Sequence, residues 1–161
     1  MFAPDELLLK LSSARVDFIV IGGVAVGVHG FIRATKDLDI VPDPDTMNLA
    51  RLASVLAEIG AEHVGVGDLT PDEFPYDPTD PHQLAEGANF RLETNLGPLD
   101  VMQWVAGIQA DLAYPELADQ SLTVSFRDTQ VRVCSLEHLR AMKGAAGRPQ
   151  DLEDLQRLAG T

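Results

Sequence analysis

Runs of apolar residues, separated by glycine and proline, divide the first third of the chain into alternating helices and strands. Phe18–Ile21 is apolar at every position, which is typical of a strand covered on both faces. Residues 38–41, in which Asp39 lies among apolar residues, predict a second strand. Apolar residues recur at helical spacing in 4–14 and 47–59, and residues 24–30 predict a short helix between the two strands.

The remainder of the chain predicts two β-hairpins followed by a pair of helices. The predicted hairpin strands are residues 89–94, 99–104, 122–126 and 130–134. The predicted helices are residues 136–144, which Ser135 would cap, and residues 150–158. Residues 110–118 give no clear pattern.

One long segment between these halves lacks a regular pattern. His63 to Val66 predicts a short strand, and Gly67 to Glu86 then holds four prolines among several acids. Irregular segments of this length often carry function. We therefore predict a long loop here and expect it to make the substrate-specific contacts.

The composition limits the possible partners. The chain has 161 residues, of which 45% are hydrophobic, and this fits one globular domain with a sizeable core. Its formal net charge is -13, from 25 acidic and 12 basic residues. Because an acidic surface repels a phosphate backbone at long range, non-specific DNA binding is not expected. A local basic site or an RNA end in one pocket stays compatible with this charge.

Cysteine content and hydropathy give the expected location. The single cysteine, Cys134, excludes an intrachain disulfide and a cysteine-rich zinc site. The N-terminus lacks the basic and apolar regions of a signal peptide, and no apolar run approaches 18 residues. We therefore expect a cytoplasmic protein without a membrane segment.

Two glycines follow the first strand directly. At Gly22 and Gly23, backbone N–H groups can approach a phosphate because no Cβ stands in the way. A tight turn without a ligand is the alternative. The sequence contains neither GxxxxGK[ST] nor GxGxxG at this point, so the site belongs to neither of those phosphate-binding classes.

Three acids suggest a metal site. Asp37 and Asp39 lie two residues apart, so on a strand their carboxylates point to the same face. Asp100 lies among apolar residues of a predicted hairpin strand, where a buried acid is costly unless it faces a site. Together these carboxylates can hold magnesium or manganese, and Asp100 can accept a proton from an attacking hydroxyl. Two solvated acids at an exposed strand end are the alternative for the first pair.

The order of these features resembles a known superfamily. The order is similar to that of the nucleotidyltransferases related to DNA polymerase beta. It consists of an apolar residue with Gly22-Gly23, thirteen intervening residues, Asp37-Leu38-Asp39 and a later strand acid. Arg33-Ala34-Thr35 before the acids and the run from Ser135 to Leu155 resemble a small branch that includes abortive-infection-type nucleotidyltransferase toxins. The resemblance spans roughly residues 14–158.

The resemblance implies an α/β (α+β) fold, with a mixed sheet flanked by helices and a C-terminal helical pair. It implies a single domain over residues 1–161, in which residues 135–161 form a helical subregion. The implied activity is transfer of a nucleoside monophosphate from an NTP to an acceptor hydroxyl, with release of pyrophosphate and with Mg²⁺ or Mn²⁺ as cofactor.

The resemblance also assigns roles to individual residues. Asp37 and Asp39 would bind the metals, and Asp100 would complete that site and help to activate the acceptor. Gly22 and Gly23 would bind the triphosphate through the backbone alone, because the family often has Gly-Ser where this chain has Gly-Gly.

Five further residues would bind the nucleotide. Lys143 would reach the triphosphate, and Arg148 and Asp151 would frame the nucleotide. Arg33 and Thr35 would order the loop before the acids or touch phosphate.

Four of these assignments have a structural alternative. Lys143 and Arg148 can be ordinary cations at a helix end, and Asp151 can cap the last helix. Arg33 can be an ion-pair partner of Asp37 or Asp39.

Two other residues have a structural alternative as well. Trp104 can be a core residue or a base-stacking surface. His29 can be a packed histidine without a catalytic role.

The acceptor stays open at the level of sequence. The toxin-like motifs favour RNA, such as tRNA, or a protein hydroxyl, with an antitoxin as a possible partner. An aminoglycoside-type small molecule is the alternative, because its amines suit an acidic chain. A catalytically silent module that binds a nucleotide is a third possibility.

Overall fold

A computed structural model describes residues 2–65 and 68–159. Val66, the end of the predicted short strand, and Gly67, the start of the predicted loop, lie outside the described residues.

The described helices and strands follow the order of the predicted ones. The strands are β1 (Phe18–Ile21), β2 (Leu38–Pro42), β3 (Glu62–His63), β4 (Phe90–Thr94), β5 (Gly97–Val101), β6 (Leu122–Phe126) and β7 (Thr129–Val133). The helices are α1 (Asp5–Ser13), α2 (Gly22–Val28), α3 (Thr46–Glu58), α4 (Pro81–Leu84), α5 (Tyr114–Asp119), α6 (Leu136–Ala146) and α7 (Pro149–Leu158).

The described strands form one mixed sheet of seven strands, in the order β3-β4-β5-β2-β1-β7-β6. β2 runs antiparallel to β1 and parallel to β5, and β1 runs parallel to β7. The predicted hairpins are β4–β5 and β6–β7. This architecture confirms the predicted mixed sheet flanked by helices.

The burial of each strand follows from its sequence pattern. All four residues of β1 are buried, as expected for an apolar strand at the centre of the sheet. In β4, Phe90, Leu92 and Thr94 are buried while Arg91 and Glu93 are exposed, which is the predicted alternation. The sheet therefore has a polar row on the face where Arg91 lies.

Capping side chains fix two of the helices. Asp45 caps α3 by accepting from the backbone N–H of Asn48, and Ser135 caps α6 by accepting from that of His138. The α6 helix ends at Gly147, which has a φ of 63° and donates to the carbonyl of Lys143. It is thus slightly longer than predicted and turns directly into α7.

Several predicted boundaries were wrong. α2 begins at Gly22 itself, the short strand is Glu62–His63, and the strand predicted over residues 99–104 is Gly97–Val101. Backbone geometry explains the first difference, because Gly22 has a φ of 69° and makes the bend from β1 into the helix.

Two segments contain structure that the sequence pattern did not reveal. The predicted irregular loop holds a 3₁₀ turn (Pro71–Glu73) and α4, which Asp80 caps by accepting from the backbone N–H of His82. The segment without a clear pattern contains α5, which has a proline in its first turn. Both helices are too short to show a helical period in the sequence.

Among residues 2–65 and 68–159, no helix combines the length and the apolarity that crossing a membrane requires.

Candidate active site

Four residues on four neighbouring strands form one transverse row of the sheet. Ile21 of β1 pairs with Asp39 of β2, Asp39 pairs with Asp100 of β5, and Asp100 pairs with Arg91 of β4. Because directly opposed residues share a face, Asp39 and Asp100 lie side by side, with Arg91 beyond them. The register thus joins two acids that are far apart in sequence.

Asp37 completes an acidic triad with this pair. It lies directly before β2, and one carboxylate oxygen from each of Asp37, Asp39 and Asp100 lies within 4.8 Å of the other two. Asp100 is buried and the other two are half-buried. The structure thus brings together all three acids that the sequence singled out.

Burial and mutual repulsion determine the charge of the triad. Burial, with the negative charges of Asp37 and Asp100, raises the pKa of Asp39 to about 8. Burial and Asp37 also raise the pKa of Asp100, while the guanidinium of Arg91, 3.9 Å away, opposes that rise. Three oxygen donors that repel one another fit a hard divalent cation, because such a cation would offset their repulsion.

Gly22 lets the first strand approach this triad. A Cβ at Gly22 would lie 1.9 Å from Oδ2 of Asp39, and the φ of 69° is strained for any other residue. A glycine is therefore required at this position because the Asp39 carboxylate leaves no room for a side chain, whether or not the backbone also contacts a ligand.

Gly23 is in close contact with the loop that precedes β2. A Cβ at Gly23 would lie 2.8 Å from Oγ1 of Thr35 and 3.2 Å from the guanidinium nitrogens of Arg33. Thr35 Oγ1 in turn donates to the backbone carbonyl of Asp37 at 3.0 Å. Thr35 thus contacts the backbone beside the acidic triad, and its predicted role in phosphate binding stays a prediction.

Arg33 pairs with an acid that the sequence analysis did not single out. Its guanidinium donates to both carboxylate oxygens of Asp154 in α7, at 2.8 and 2.9 Å. The alternative that Arg33 pairs with Asp37 or Asp39 is therefore wrong. The physical reason is that Asp154 is fully buried and needs a bidentate partner.

Lys143, Arg148 and Asp151 belong to the same network. Buried Lys143 donates to Asp151 at 2.9 Å and lies 3.0 Å from a carboxylate oxygen of Asp154. Arg148 Nε donates to Asp151 at 2.8 Å, and its backbone N–H also donates to Asp151, which thereby caps α7. We call these four residues, together with Arg33, the ion cluster.

The ion cluster keeps its two acids charged. Burial raises the pKa of Asp151 and that of Asp154, but hydrogen bonds from Arg148, Lys143 and Arg33 outweigh it and lower both pKa values. Two of its cations, Arg33 and Lys143, are thus largely neutralised by buried carboxylates. A sequence signal for Asp154 did exist, because it follows Asp151 by three residues and so shares its helix face.

Two other candidates have clear positions. His29 Nε2 donates to the backbone carbonyl of Cys134 at 2.8 Å, so His29 joins the end of α2 to the segment before α6. This contact agrees with the alternative that His29 is a packed histidine. Trp104 is 56% exposed, so its interpretation as a core residue is wrong.

A cleft of about 860 Å³ connects these groups. Its lining includes the acidic triad, the two glycines and four residues of the ion cluster. Its lining also includes apolar residues, among them Val64, Leu69, Phe74 and Trp104. The cleft lining therefore combines the charged groups of the site with apolar side chains.

Known structures share this fold. The lincosamide antibiotic adenylyltransferase LnuA, solved with lincomycin, superposes with a TM-score of 0.61 at 18% identity, covering 96% of this chain and 92% of that one. A protein of Thermotoga maritima described as a nucleotidyltransferase gives 0.57 at 15% identity, covering 99% and 96%. The enzyme ANT(2'')-Ia, solved with adenylyl-2''-tobramycin, gives 0.55 at 18% identity, covering 95% and 83%.

No protein-family model matches the sequence, and no curated protein matches it either. The structural similarity extends over nearly the whole chain and over most of each of these structures. At such low identities it establishes the architecture: this chain has the nucleotidyltransferase fold.

Proposed function

We propose that this protein is a metal-dependent nucleotidyltransferase, which moves a nucleoside monophosphate from an NTP to an acceptor hydroxyl and releases pyrophosphate. The observation that carries the proposal is the convergence of three carboxylates within 4.8 Å, beside Gly22 and on the face of a nucleotidyltransferase fold. A solvated strand end does not explain it, because Asp100 is buried and Asp39 is half-buried.

Asp37, Asp39 and Asp100 would hold Mg²⁺ or Mn²⁺. When bound, the metal supplies charge neutralisation at the triphosphate and polarises the α-phosphate. Asp100 would take the proton of the acceptor hydroxyl, since burial raises its pKa and Arg91 stabilises its charged form. Catalysis would then come mainly from positioning and electrostatics.

The triphosphate would lie towards the glycines. Gly22 and Gly23 line the cleft with backbone that carries no side chain. Arg148 has a side chain that is 71% exposed and lines the same cleft, so it can contact phosphate while it keeps Asp151 as a partner. Lys143 is balanced by two acids, so its main role would be to hold the ion cluster in place, with a weaker contribution to phosphate binding.

A small-molecule hydroxyl is the acceptor class that we favour. The known structures of this fold include one with lincomycin and one with adenylyl-2''-tobramycin, both of them small molecules. The net charge of -13 works against a long polyanionic acceptor. An RNA or protein acceptor, with a toxin role and an antitoxin partner, is the second candidate, and the motifs around Arg33 and Lys143 favour it.

Transfer of label from α-³²P NTPs tests the activity. Wild type with Mg²⁺ or Mn²⁺ should label a hydroxyl acceptor and release pyrophosphate, and Asp39→Asn should lose at least about a hundredfold of this rate. The control is Asp128→Asn, because Asp128 is an exposed acid in the β6–β7 turn. Transfer that survives Asp39→Asn would rule out the assigned site.

The acceptor panel separates the candidates. Hydroxylated antibiotics, tRNA and a cell extract of proteins would each be offered with all four NTPs. Label on tRNA or on a protein alone would favour the toxin role. Binding of a non-hydrolysable NTP without a product from any acceptor would favour the silent nucleotide-binding module.

A further inference from the structure

Four apolar side chains are part of the cleft lining. Val64, Leu69 and Trp104 are 38%, 51% and 56% exposed, and half-buried Phe74 lies in the same lining. We call these four residues the apolar wall. Apolar surface exposed to water is costly, and a group of such side chains inside a cleft is typical of a binding surface.

The apolar wall is held in place by its surroundings. The side chain of Asn89 accepts from the backbone N–H of Trp104 at 3.2 Å and donates to the backbone carbonyl of Trp104 at 3.0 Å. The Phe74 ring packs against His63 and Phe90, with centroid distances of 4.3 and 6.0 Å. These contacts fix the backbone of Trp104 and the ring of Phe74 before any ligand binds, which reduces the entropy lost on binding.

The sheet register places part of this wall across the triad from the glycines. Gly22 follows Ile21 at one end of the transverse row, and Arg91 stands at the other end, beyond Asp100. Val64 donates its backbone N–H to the carbonyl of Arg91 at 3.0 Å, which extends the row. In an in-line displacement the acceptor enters opposite the leaving group. If the pyrophosphate lies at the glycines, the acceptor therefore enters from the side of Arg91 and Val64.

Charges are distributed unevenly along the cleft. Arg33, Lys36, Lys143 and Arg148 lie on the loop before β2 and on α6–α7, towards the glycines. Among the described lining residues, Arg91 is the one Lys or Arg on the strands beside the apolar wall, and Asp100 is 3.9 Å from it. A nucleic acid requires several cations along its backbone, which the described residues at this end of the cleft do not offer. A polycation would be repelled by the positive charge of Arg91.

We infer that the apolar wall is the acceptor subsite and that it binds a neutral small molecule with a hydroxyl next to a flat apolar ring. The ring packs on Trp104 and Leu69, and the hydroxyl points to Asp100. This inference rests on the proposed function, since it assumes that the nucleotide lies towards the glycines.

The fluorescence of Trp104 tests the subsite directly, because it is the single tryptophan of the chain. Phenyl β-D-glucoside and methyl β-D-glucoside carry the same sugar hydroxyls, with and without a flat ring. Titration of the full chain, excited at the tryptophan band, should give saturable quenching or a spectral shift with the phenyl compound. The methyl compound should bind at least about tenfold more weakly.

Two leucines provide matched variants. Leu69 in the wall and Leu152 on α7, outside the cleft lining, are 51% and 52% exposed. Leu69→Ser should weaken binding of phenyl β-D-glucoside by about tenfold, and Leu152→Ser should leave it unchanged. Because both side chains are exposed to the same degree, a general loss of stability would affect both variants alike.

Several results would overturn the inference. They are equal responses to the two glucosides, no response to the phenyl compound, equal losses in both leucine variants, or a stronger response to a short RNA or an aminoglycoside. Binding of Mg²⁺–NTP, measured by calorimetry on the same preparations, separates the two proposals. If the nucleotide binds and the phenyl compound does not, the subsite is wrong while the proposed function stands. If no NTP binds or is transferred, the proposed function itself fails.

Discussion

Gly22 and Asp39 are in such close contact that a Cβ on Gly22 would lie 1.9 Å from Oδ2 of Asp39. The two motifs that define the site, the glycine pair and the acid pair, are thus joined sterically. A glycine is also needed at this position because its φ is 69°. The site depends on this contact whether or not a phosphate binds there.

Gly22→Ala should therefore damage both the fold and the proposed metal site. The left-handed backbone alone costs an alanine about 1–2 kcal/mol, and the displaced Asp39 carboxylate adds to this cost. We expect a lower urea midpoint of unfolding and weaker Mn²⁺ binding, which calorimetry would measure.

Gly27→Ala is the matched control in the same helix. Within the described residues, nothing lies within 4 Å of a Cβ at Gly27, and its φ is not in the left-handed region. This substitution should be neutral or should stabilise by about 0.5–1 kcal/mol, because alanine favours helix more than glycine does. Equal effects of the two substitutions would contradict the steric argument.

The raised pKa of Asp39 predicts a metal-dependent pH profile. In the folded chain its pKa is about 8, against an ordinary value of 3.8, so the folded state binds the additional proton between these values. The stability of the metal-free protein should accordingly fall as pH rises from about 4 to 8. Mg²⁺ or Mn²⁺ should raise the Tm more at pH 8 than at pH 5.5, because the ionised triad binds the cation.

Asp39→Asn provides the control for this profile. It removes the titrating group, so the metal-free variant should lose most of the decline between pH 4 and 8 and should gain little Tm from the cation. Differential scanning fluorimetry across this range would measure both effects. A wild-type Tm that rises from pH 5 to 8 without metal would contradict the assigned charge state.

The acids of the site could be predicted because each one violates a local pattern. Asp37 and Asp39 alternate with apolar residues, and Asp100 interrupts an apolar strand. Strand alternation fixes the face on which each acid lies, so convergence follows once the two strands are neighbours. The sheet order that makes β2 and β5 neighbours was not predicted, since the period of a strand does not specify its partner.

The contacts within the ion cluster and the exposure of the apolar wall could not be predicted from the sequence, because they depend on tertiary structure. Arg33 and Asp154 are separated by 121 residues, and no local pattern pairs them. Trp104 follows a strand of apolar residues and so resembles a core residue, although the side chain of Asn89 holds its backbone at the cleft. In both cases the decisive partner lies on another part of the chain.

Asp154 should be one of the most important polar residues for stability. It is fully buried between Arg33 and Lys143, so Asp154→Ala leaves a buried lysine and an arginine with fewer partners. Breaking a buried ion pair in this way costs about 3 kcal/mol or more. Urea unfolding should show this loss, and the loop with Thr35 should also become more accessible to hydrogen exchange.

The exposed ion pair of Lys10 and Glu58 serves as the control for Asp154. Glu58→Ala removes a pair whose side chains are both partly exposed, so the free energy of unfolding should change by less than about 1 kcal/mol. The contribution of Asp154 should also depend on pH. Because the pKa of Asp154 is lowered from 3.8, its contribution is complete above that value and is lost as pH falls below it. A similar loss in both variants would contradict a special role for the ion cluster.

Cys134 should report the opening of the junction between β7 and α6. It is fully buried, and burial raises the pKa of its thiol to about 12, so the reactive thiolate is scarce at pH 8. A thiol reagent such as 5,5'-dithiobis(2-nitrobenzoate) should therefore label the native chain slowly and the urea-unfolded chain rapidly, to one thiol per chain.

His29 binds the backbone carbonyl of Cys134, so His29→Ala should speed native labelling while the unfolded rate stays the same. Fast labelling of the native wild type, or an unchanged rate in His29→Ala, would show that this junction does not protect the thiol.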